Sequence, residues 1–413
     1  MASDSPDPRD LIDAEQLRRR GSLKWTALPD VEIAAWVAES DFGTAPAVTA
    51  AVRAAVDGDA FGYLPPGERR ALARACSTWY SDRYGFQIPL DWIHPIGDVR
   101  EGLRIAIDRY SRPGSPVILP TPAYMPFVTA PGVWGRGVIQ VPMPVDPTGR
   151  STLDLDALDG AFRAGGNLLV LTNPHNPTGR VMTRPELLAV ADVVERNSGR
   201  VFSDEIHAPV VYPGAVHVPY ASISEAAAAH TVTATSASKA WNIAGLKCAQ
   251  MLLSNPDDAA AWAPDDVLLT EGASTIGVIA NAAAYARGRD WLDETVGYLD
   301  GNRDALQQVL TERAPLIGYR PPEGTYLAWL DLRAALEALG GPSGRNDGTT
   351  TFPALDGEAR LSRWIRHRTG VAVTDGGDCG EAGVGFIRLN LAMPRPMVVE
   401  AGRRLAACLD PRR

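Results

Sequence analysis

The stretch 233–247 reads TATSASKAWNIAGLK and concentrates the residues with the widest chemical reach. A β-branched run ends there in hydroxyls, and Lys239 follows two serines, Ser236 and Ser238. Hydroxyls and free backbone N–H groups at the end of a strand hold anions such as phosphate. A lysine amine, unlike a guanidinium, can lose its proton and attack a carbonyl. An imine-forming lysine beside a phosphate cup is what a pyridoxal phosphate enzyme requires, because the phosphate anchors the cofactor while the amine meets its aldehyde. A lysine on a surface loop is the plainer alternative.

Composition makes each lysine worth a look. Of the 413 residues 40 are basic, yet only Lys24, Lys239 and Lys247 are lysine. Abundant alanine, glycine and proline make codon bias the simple cause, and a lysine in such a background is either chance or sits where arginine fails. Lys24 lies in a charged N-terminal stretch and is expected to act as a surface cation. Lys247 is a candidate for the phosphate cup, where either basic residue serves.

Three further residues fit the same chemistry. Asp204, in RVFSDEIH, ends a strand-like run where acids are disfavoured without a reason. It suits a carboxylate that keeps a pyridine nitrogen protonated, or else a helix N-cap. Asn173, in LTNPHNPTGR, could donate to a ring phenolate oxygen or simply make an Asn-Pro turn. Tyr124, in PTPAYMPF, could stack on the ring or pack its own loop.

The elements that must position these residues follow from periodicity. Helical spacing over 46–58 and 68–84 precedes short apolar runs at 116–120, 167–172, 200–205, 231–236 and 249–254, with a clear helix at 187–195. Runs of this length between helices suggest buried parallel strands. After about 290 the pattern becomes a helix (291–313), an alternating antiparallel-type strand (325–332), a helix (358–369), a strand (385–392) and a last helix (395–408). The expected fold is α/β: a large domain (46–290) with a mixed, mostly parallel sheet sandwiched by helices, and a smaller α+β domain (291–413). Residues 1–45 form an irregular arm whose Trp25, Trp36 and Phe42 need something to pack on, expected to be the small domain. The stretch 340–357 reads as a polar loop.

Together these motifs resemble a family. S-A-S-K-A-W-N-I-A-G-L, preceded by N-P-H-N-P-T-G and S-D-E-I-H, is similar to fold-type I pyridoxal phosphate enzymes of the class I/II aminotransferase superfamily. The likeness covers nearly the whole chain, including WVAESDF (36–42), FGY (61–63), TPAYMPF (121–127), PEGTYLAWLD (322–331) and FIRLNLAMPR (386–395). Several of these look most like the branch of cystathionine β-lyases and cysteine C–S lyases. The resemblance implies that Lys239 is the Schiff-base lysine and that Asp204 pairs with the pyridinium nitrogen. It implies Asn173 and His207 near the phenolate oxygen, Tyr124 stacked on the ring, and Ser236, Ser238 and Lys247 in the phosphate cup. Arg388 matches the arginine that grips the substrate α-carboxylate, a task suited to its planar fork. Tyr63 matches a tyrosine reaching the phosphate from a neighbouring subunit, so a homodimer with shared sites is implied.

Two segments depart from the branch. IGDVREGL (96–103) places Asp98, Val99 and Arg100 at the head of the helix that begins the phosphate site, where relatives have small apolar residues. A cation in the first turn opposes the helix dipole, so Arg100 either faces an anion or points to solvent. WVAESDF has Glu39-Ser40 where the branch has Asp-Met. Both changes lie near the expected substrate entrance. The shared site supports two outcomes at Cα: loss of a thiol from Cβ, which the branch favours, or transamination. Decarboxylating or oxidative variants of secondary metabolism are rarer fates.

Other classes fit less well. The net charge of −9 argues against nucleic acid or anionic membrane as a main partner. Some relatives act in gene regulation, but there is no extension long enough for a winged helix, and Lys239, Asp204 and Arg388 stand together. The four cysteines and six histidines lack disulfide-framework or metal-ligand spacing, so no metal is expected. No stretch reaches the roughly 18 apolar residues of a spanning helix, and the N-terminus lacks the apolar core of a signal peptide. A cytoplasmic enzyme is the expectation.

Overall fold

The computed structural model describes residues 6–340, 343–344, 350–351 and 360–410. Its centre is a seven-stranded sheet in the spatial order Ile93–Ile96, Ala249–Leu253, Thr231–Thr235, Arg200–Asp204, Leu168–Thr172, Val117–Thr121, Val138–Pro142. The pairings among the last five are parallel, and Ala249–Leu253 runs antiparallel to both of its neighbours. All five expected strands are present. Apart from the half-exposed Arg200, their five-residue runs are buried throughout because helices cover both faces.

On one face the helix Val99–Tyr110 lays Leu103, Ala106 and Tyr110 against Phe202, Val232 and Ala234. On the other, Leu155–Arg163 and Arg184–Arg196 cover Leu169, Leu171 and Val201. The second of these starts at a capping box of Thr183 and Glu186 and buries Leu187, Val190, Ala191 and Val194, one stripe at helical spacing. The helices Pro66–Tyr84 and Thr275–Arg287 pack together beside the sheet, and Trp79 meets Trp241 edge-on at 5.2 Å. Gly277 lets the second helix press on the turn before Lys247: a Cβ there would lie 2.1 Å from the Leu246 carbonyl oxygen.

The C-terminal part forms a four-stranded antiparallel sheet, Thr374–Asp375, Phe386–Asn390, Leu327–Asp331 and Gly318–Tyr319. The helices Arg289–Arg313, Leu361–Thr369 and Arg395–Cys408 share its apolar core. The arm is more ordered than its composition suggests. Short helices at Ala14–Arg19 and Leu23–Thr26 precede Ile33–Ala34, which pairs in parallel with Val371–Ala372. Trp25 is buried there with Leu17, Val31 and Ala372.

Two expectations need amendment, and a third lies mostly outside the described residues. The sheet has two more strands than expected. Ile93–Ile96 carries His94 and Pro95, and Val138–Pro142 is a half-exposed edge, so neither shows a clean apolar run. Lys24 is no surface cation: it is 1% exposed and its ammonium lies 2.9 Å from the Asp41 carboxylate. Most of the polar stretch 340–357 lies outside the described residues, apart from a two-residue antiparallel ladder of Ser343–Gly344 with Thr350–Thr351.

Candidate active site

Parallel strands in register deliver their following residues to one place. Thr172 stands beside Asp204, and Asp204 beside Ala234, so Asn173, Asp204 and the loop after Thr235 emerge at the same carboxyl-end edge. They open on a cavity of about 220 Å³ lined by Val99, Arg100, Tyr124, Asn176, Asp204, His207, Ser238, Lys239 and Lys247, among others.

The ionisable groups at its walls are held away from their usual states. Burial, with the Arg388 cation second, pushes the Lys239 amine down to about 8. Lys239 Nζ donates to the Ala38 carbonyl at 3.0 Å. Burial pushes the Asp204 carboxyl up to about 7, against the lowering effect of the Ile206 N–H, which donates to it at 3.1 Å. Burial, then the Lys239 and Arg388 charges, hold His207 neutral by lowering it to about 3. The Arg388 guanidinium is buried among neutral acceptors: Asn176 Oδ1 at 2.9 Å, the Trp36 carbonyl at 3.1 Å and Thr374 Oγ1 at 3.2 Å. Among the described residues neither Lys239 nor Arg388 takes part in an ion pair, whereas buried cations are ordinarily matched.

The remaining candidates divide. Tyr124 and Ser238 line the cavity, and Asn173 is buried with its Oδ1 accepting from Met182 N at 2.9 Å. Ser236 sits behind the turn: its hydroxyl donates to the Cys248 carbonyl at 2.7 Å and accepts from Ser238 N at 3.0 Å, so it braces the loop. Lys247 and Arg100 both approach Asp98 Oδ2, at 3.0 and 3.6 Å, while Asp98 Oδ1 caps the helix by accepting from Glu101 N at 2.9 Å. The first-turn cation Arg100 thus does both: its side chain is half exposed to solvent, yet it lies near the Asp98 carboxylate and lines the cavity. Tyr63 is 95% exposed and lines no part of its own chain's cavity. Three contributors escaped sequence reasoning. Asn176 was visible as the second Asn of NPHNP, but nothing marked it as the acceptor for Arg388. The carbonyls of Trp36 and Ala38 carry no side-chain signal at all.

The arrangement fits pyridoxal phosphate. Both ring nitrogens of His207, on the cavity wall, are buried without a partner, as are Asn173 Nδ2 and the Nε of Arg388, whose guanidinium holds the wall's Asn176; the same space is bounded by a buried acid, a half-buried amine and a helix head carrying Arg100. Known proteins agree. The family model for aminotransferase class I and II matches residues 37–405, and the chain belongs to that family. It is 37% identical to a cystathionine beta-lyase of Corynebacterium glutamicum over 398 residues, covering 96% of this chain and 98% of that one. Among solved structures, a candidate PLP-dependent beta-cystathionase of Corynebacterium diphtheriae superposes with a TM-score of 0.85 at 40% identity, covering 96% of this chain and 98% of the other. A PLP-bound C-S lyase of Staphylococcus hominis gives a TM-score of 0.85 at 26% identity, covering 98% and 99%.

Proposed function

We propose that this chain is a pyridoxal phosphate-dependent carbon–sulfur β-lyase acting on an S-substituted L-cysteine, such as a cystathionine-like compound or S-conjugate. The observation that carries this is a half-buried Lys239, its amine lowered to about 8, on the wall of one cavity with Asp204, while a buried Arg388 with only neutral partners holds Asn176 on the same wall. When bound, the cofactor supplies a protonated ring that accepts the electron pair left at Cα. Arg388 binds the substrate α-carboxylate as its missing counter-charge. Lys239, as the neutral amine, removes the Cα proton. Asp204 would keep the ring nitrogen protonated, Asn173 Nδ2 and His207 would serve the phenolate oxygen, and Tyr124 would pack on the ring. Ser238, Lys247, Arg100 and the Val99 N–H would hold the phosphate, with Ser236 bracing that loop. The Cβ–S bond then breaks, its electrons leave with sulfur as the thiol, and the three-carbon remainder takes up water to give pyruvate and ammonia.

On the same reading the chain divides into an arm (1–45), a large cofactor-binding domain (46–290) and a small domain (291–413), and it works in the cytoplasm. Among the described residues no single helix is long and apolar enough to cross a membrane. The exposure of Tyr63 beside Phe61, itself 65% exposed, supports a homodimer in which Tyr63 reaches the partner's phosphate. A panel of S-substituted L-cysteines tests the activity: thiol and pyruvate are expected in equal amounts without any keto-acid acceptor, and Lys239→Ala abolishes both together with the visible band of the lysine-linked cofactor. A keto acid that retains the substrate's sulfur would instead establish transamination.

A further inference from the structure

The arm holds an ion pair that the chemistry above does not use. Lys24 Nζ donates to Asp41 Oδ2 at 2.9 Å, to the Ala392 carbonyl at 3.2 Å and to the Glu39 carbonyl at 3.4 Å. All three ammonium donors are thus engaged, in a side chain that is 0% exposed. Asp41 Oδ1 accepts from Trp25 Nε1 at 2.8 Å, and the Glu39 carboxylate accepts from Lys24 N at 3.1 Å. Trp36 Nε1 donates to the Lys24 carbonyl at 3.0 Å. Burying both charges is costly and contributes little net stability compared with an apolar pair, so their presence points to geometry. A lysine here, in a chain with only three lysines among its 40 basic residues, is consistent with three acceptors converging on one small cation.

What the pair fixes is the segment 36–41, and that segment reaches the site directly. The Trp36 carbonyl orients Arg388 at 3.1 Å, and the Ala38 carbonyl accepts from Lys239 at 3.0 Å and from Tyr326 Oη at 3.1 Å. Asn390 Nδ2 donates to the Val37 and Glu39 carbonyls, both at 2.7 Å, and Ser40 exchanges two bonds of 2.9 Å with the Asn242 side chain, three residues beyond Lys239.

We propose that Lys24 and Asp41 are positioning residues, a buried rivet that sets the 36–41 segment so that its carbonyls aim the amine of Lys239 and the guanidinium of Arg388. The inference rests on the proposed roles of those two residues. Loss of the rivet lets the segment drift, and a displacement near 1 Å at a positioning group is enough to disturb binding and proton transfer.

The test compares holoenzyme variants Lys24→Met, Lys24→Arg and Asp41→Asn with Leu17→Ala, which loosens the arm's apolar core without touching the pair. Three quantities are read: thermal stability, the KM and kcat for an S-substituted cysteine, and the pH midpoint of the visible band of the lysine-linked cofactor. Fluorescence quenching of the arm tryptophans in cofactor-free protein adds a readout independent of turnover. The rivet variants are expected to raise KM about tenfold, shift the spectral midpoint and expose the tryptophans, with no rescue by arginine. Leu17→Ala lowers stability alone. If the rivet variants lose stability but keep the wild-type KM and spectral midpoint, the pair is structural only and the inference fails. If wild-type protein with pyridoxal phosphate develops no lysine-linked band, the functional reading beneath it fails first.

Discussion

A buried acid and a half-buried amine share one cavity, and burial shifts both toward their neutral forms. For Asp204 the consequence can be given a sign. Its carboxyl, raised to about 7 in the folded chain from 3.8, binds more protons folded than unfolded between those values. Its contribution to stability is therefore fully favourable below about pH 4 and is lost as the pH rises through 7. Asp204→Asn is expected to melt several degrees above wild type in cofactor-free form at pH 8, with the difference gone near pH 4. The same variant loses turnover by orders of magnitude, since an amide cannot hold the ring proton. Denaturation followed at the two pH values checks the first half, and equal melting at pH 8 would refute it. Stability given up for a poised group is the usual bargain at a catalytic site.

At the scale of elements, the helix Val99–Tyr110 shows how a departure from family pattern finds its place. Asp98 caps it, and the same carboxylate draws Lys247 and Arg100 to the cavity mouth. Asp98→Ala is expected to cost about 1 kcal/mol in urea unfolding and Asp98→Asn only a few tenths, because asparagine caps as well as aspartate; equal losses would show that the half-exposed ion pairs, not the cap, dominate. Elements with clean periodicity were legible in the sequence: the strands ending at Thr172, Asp204 and Thr235, and the helices Arg289–Arg313 and Arg395–Cys408, lie within a few residues of expectation. Ile93–Ile96 was not, since a strand containing His94 and Pro95 offers neither alternation nor an apolar run. The motifs pointed to Lys239, Asp204 and Arg388 because side-chain chemistry is what a motif displays. They could not reveal the Trp36 and Ala38 carbonyls, since every residue has one, nor the burial of Lys24, which depends on Asp41 and Ala392 meeting it from distant parts of the chain.

For the whole molecule the open question is who completes the site. Tyr63 stands in solvent on its own chain. If it serves a partner's phosphate, a chain carrying Tyr63→Phe and a chain carrying Lys239→Ala complement each other. Each mixed dimer then holds one intact site, so refolding the two inactive proteins together in equal amounts should restore about a quarter of wild-type activity. Activity no greater than the sum of the separate variants would mean that Tyr63 acts within its own chain or not at all.

The parallel pairing of Ile33–Ala34 with Val371–Ala372 also has a bearing on how the protein is made. The segment that touches Lys239 and Arg388 leaves the ribosome early, yet its anchors at Val371, Arg388, Asn390 and Ala392 arrive near the end of synthesis. The arm is thus born first and docks last. A chain stalled after Leu253 but before Arg388 has its central sheet and its lysine but not the frame that aims them, so such a partly made protein is expected to stay chemically idle.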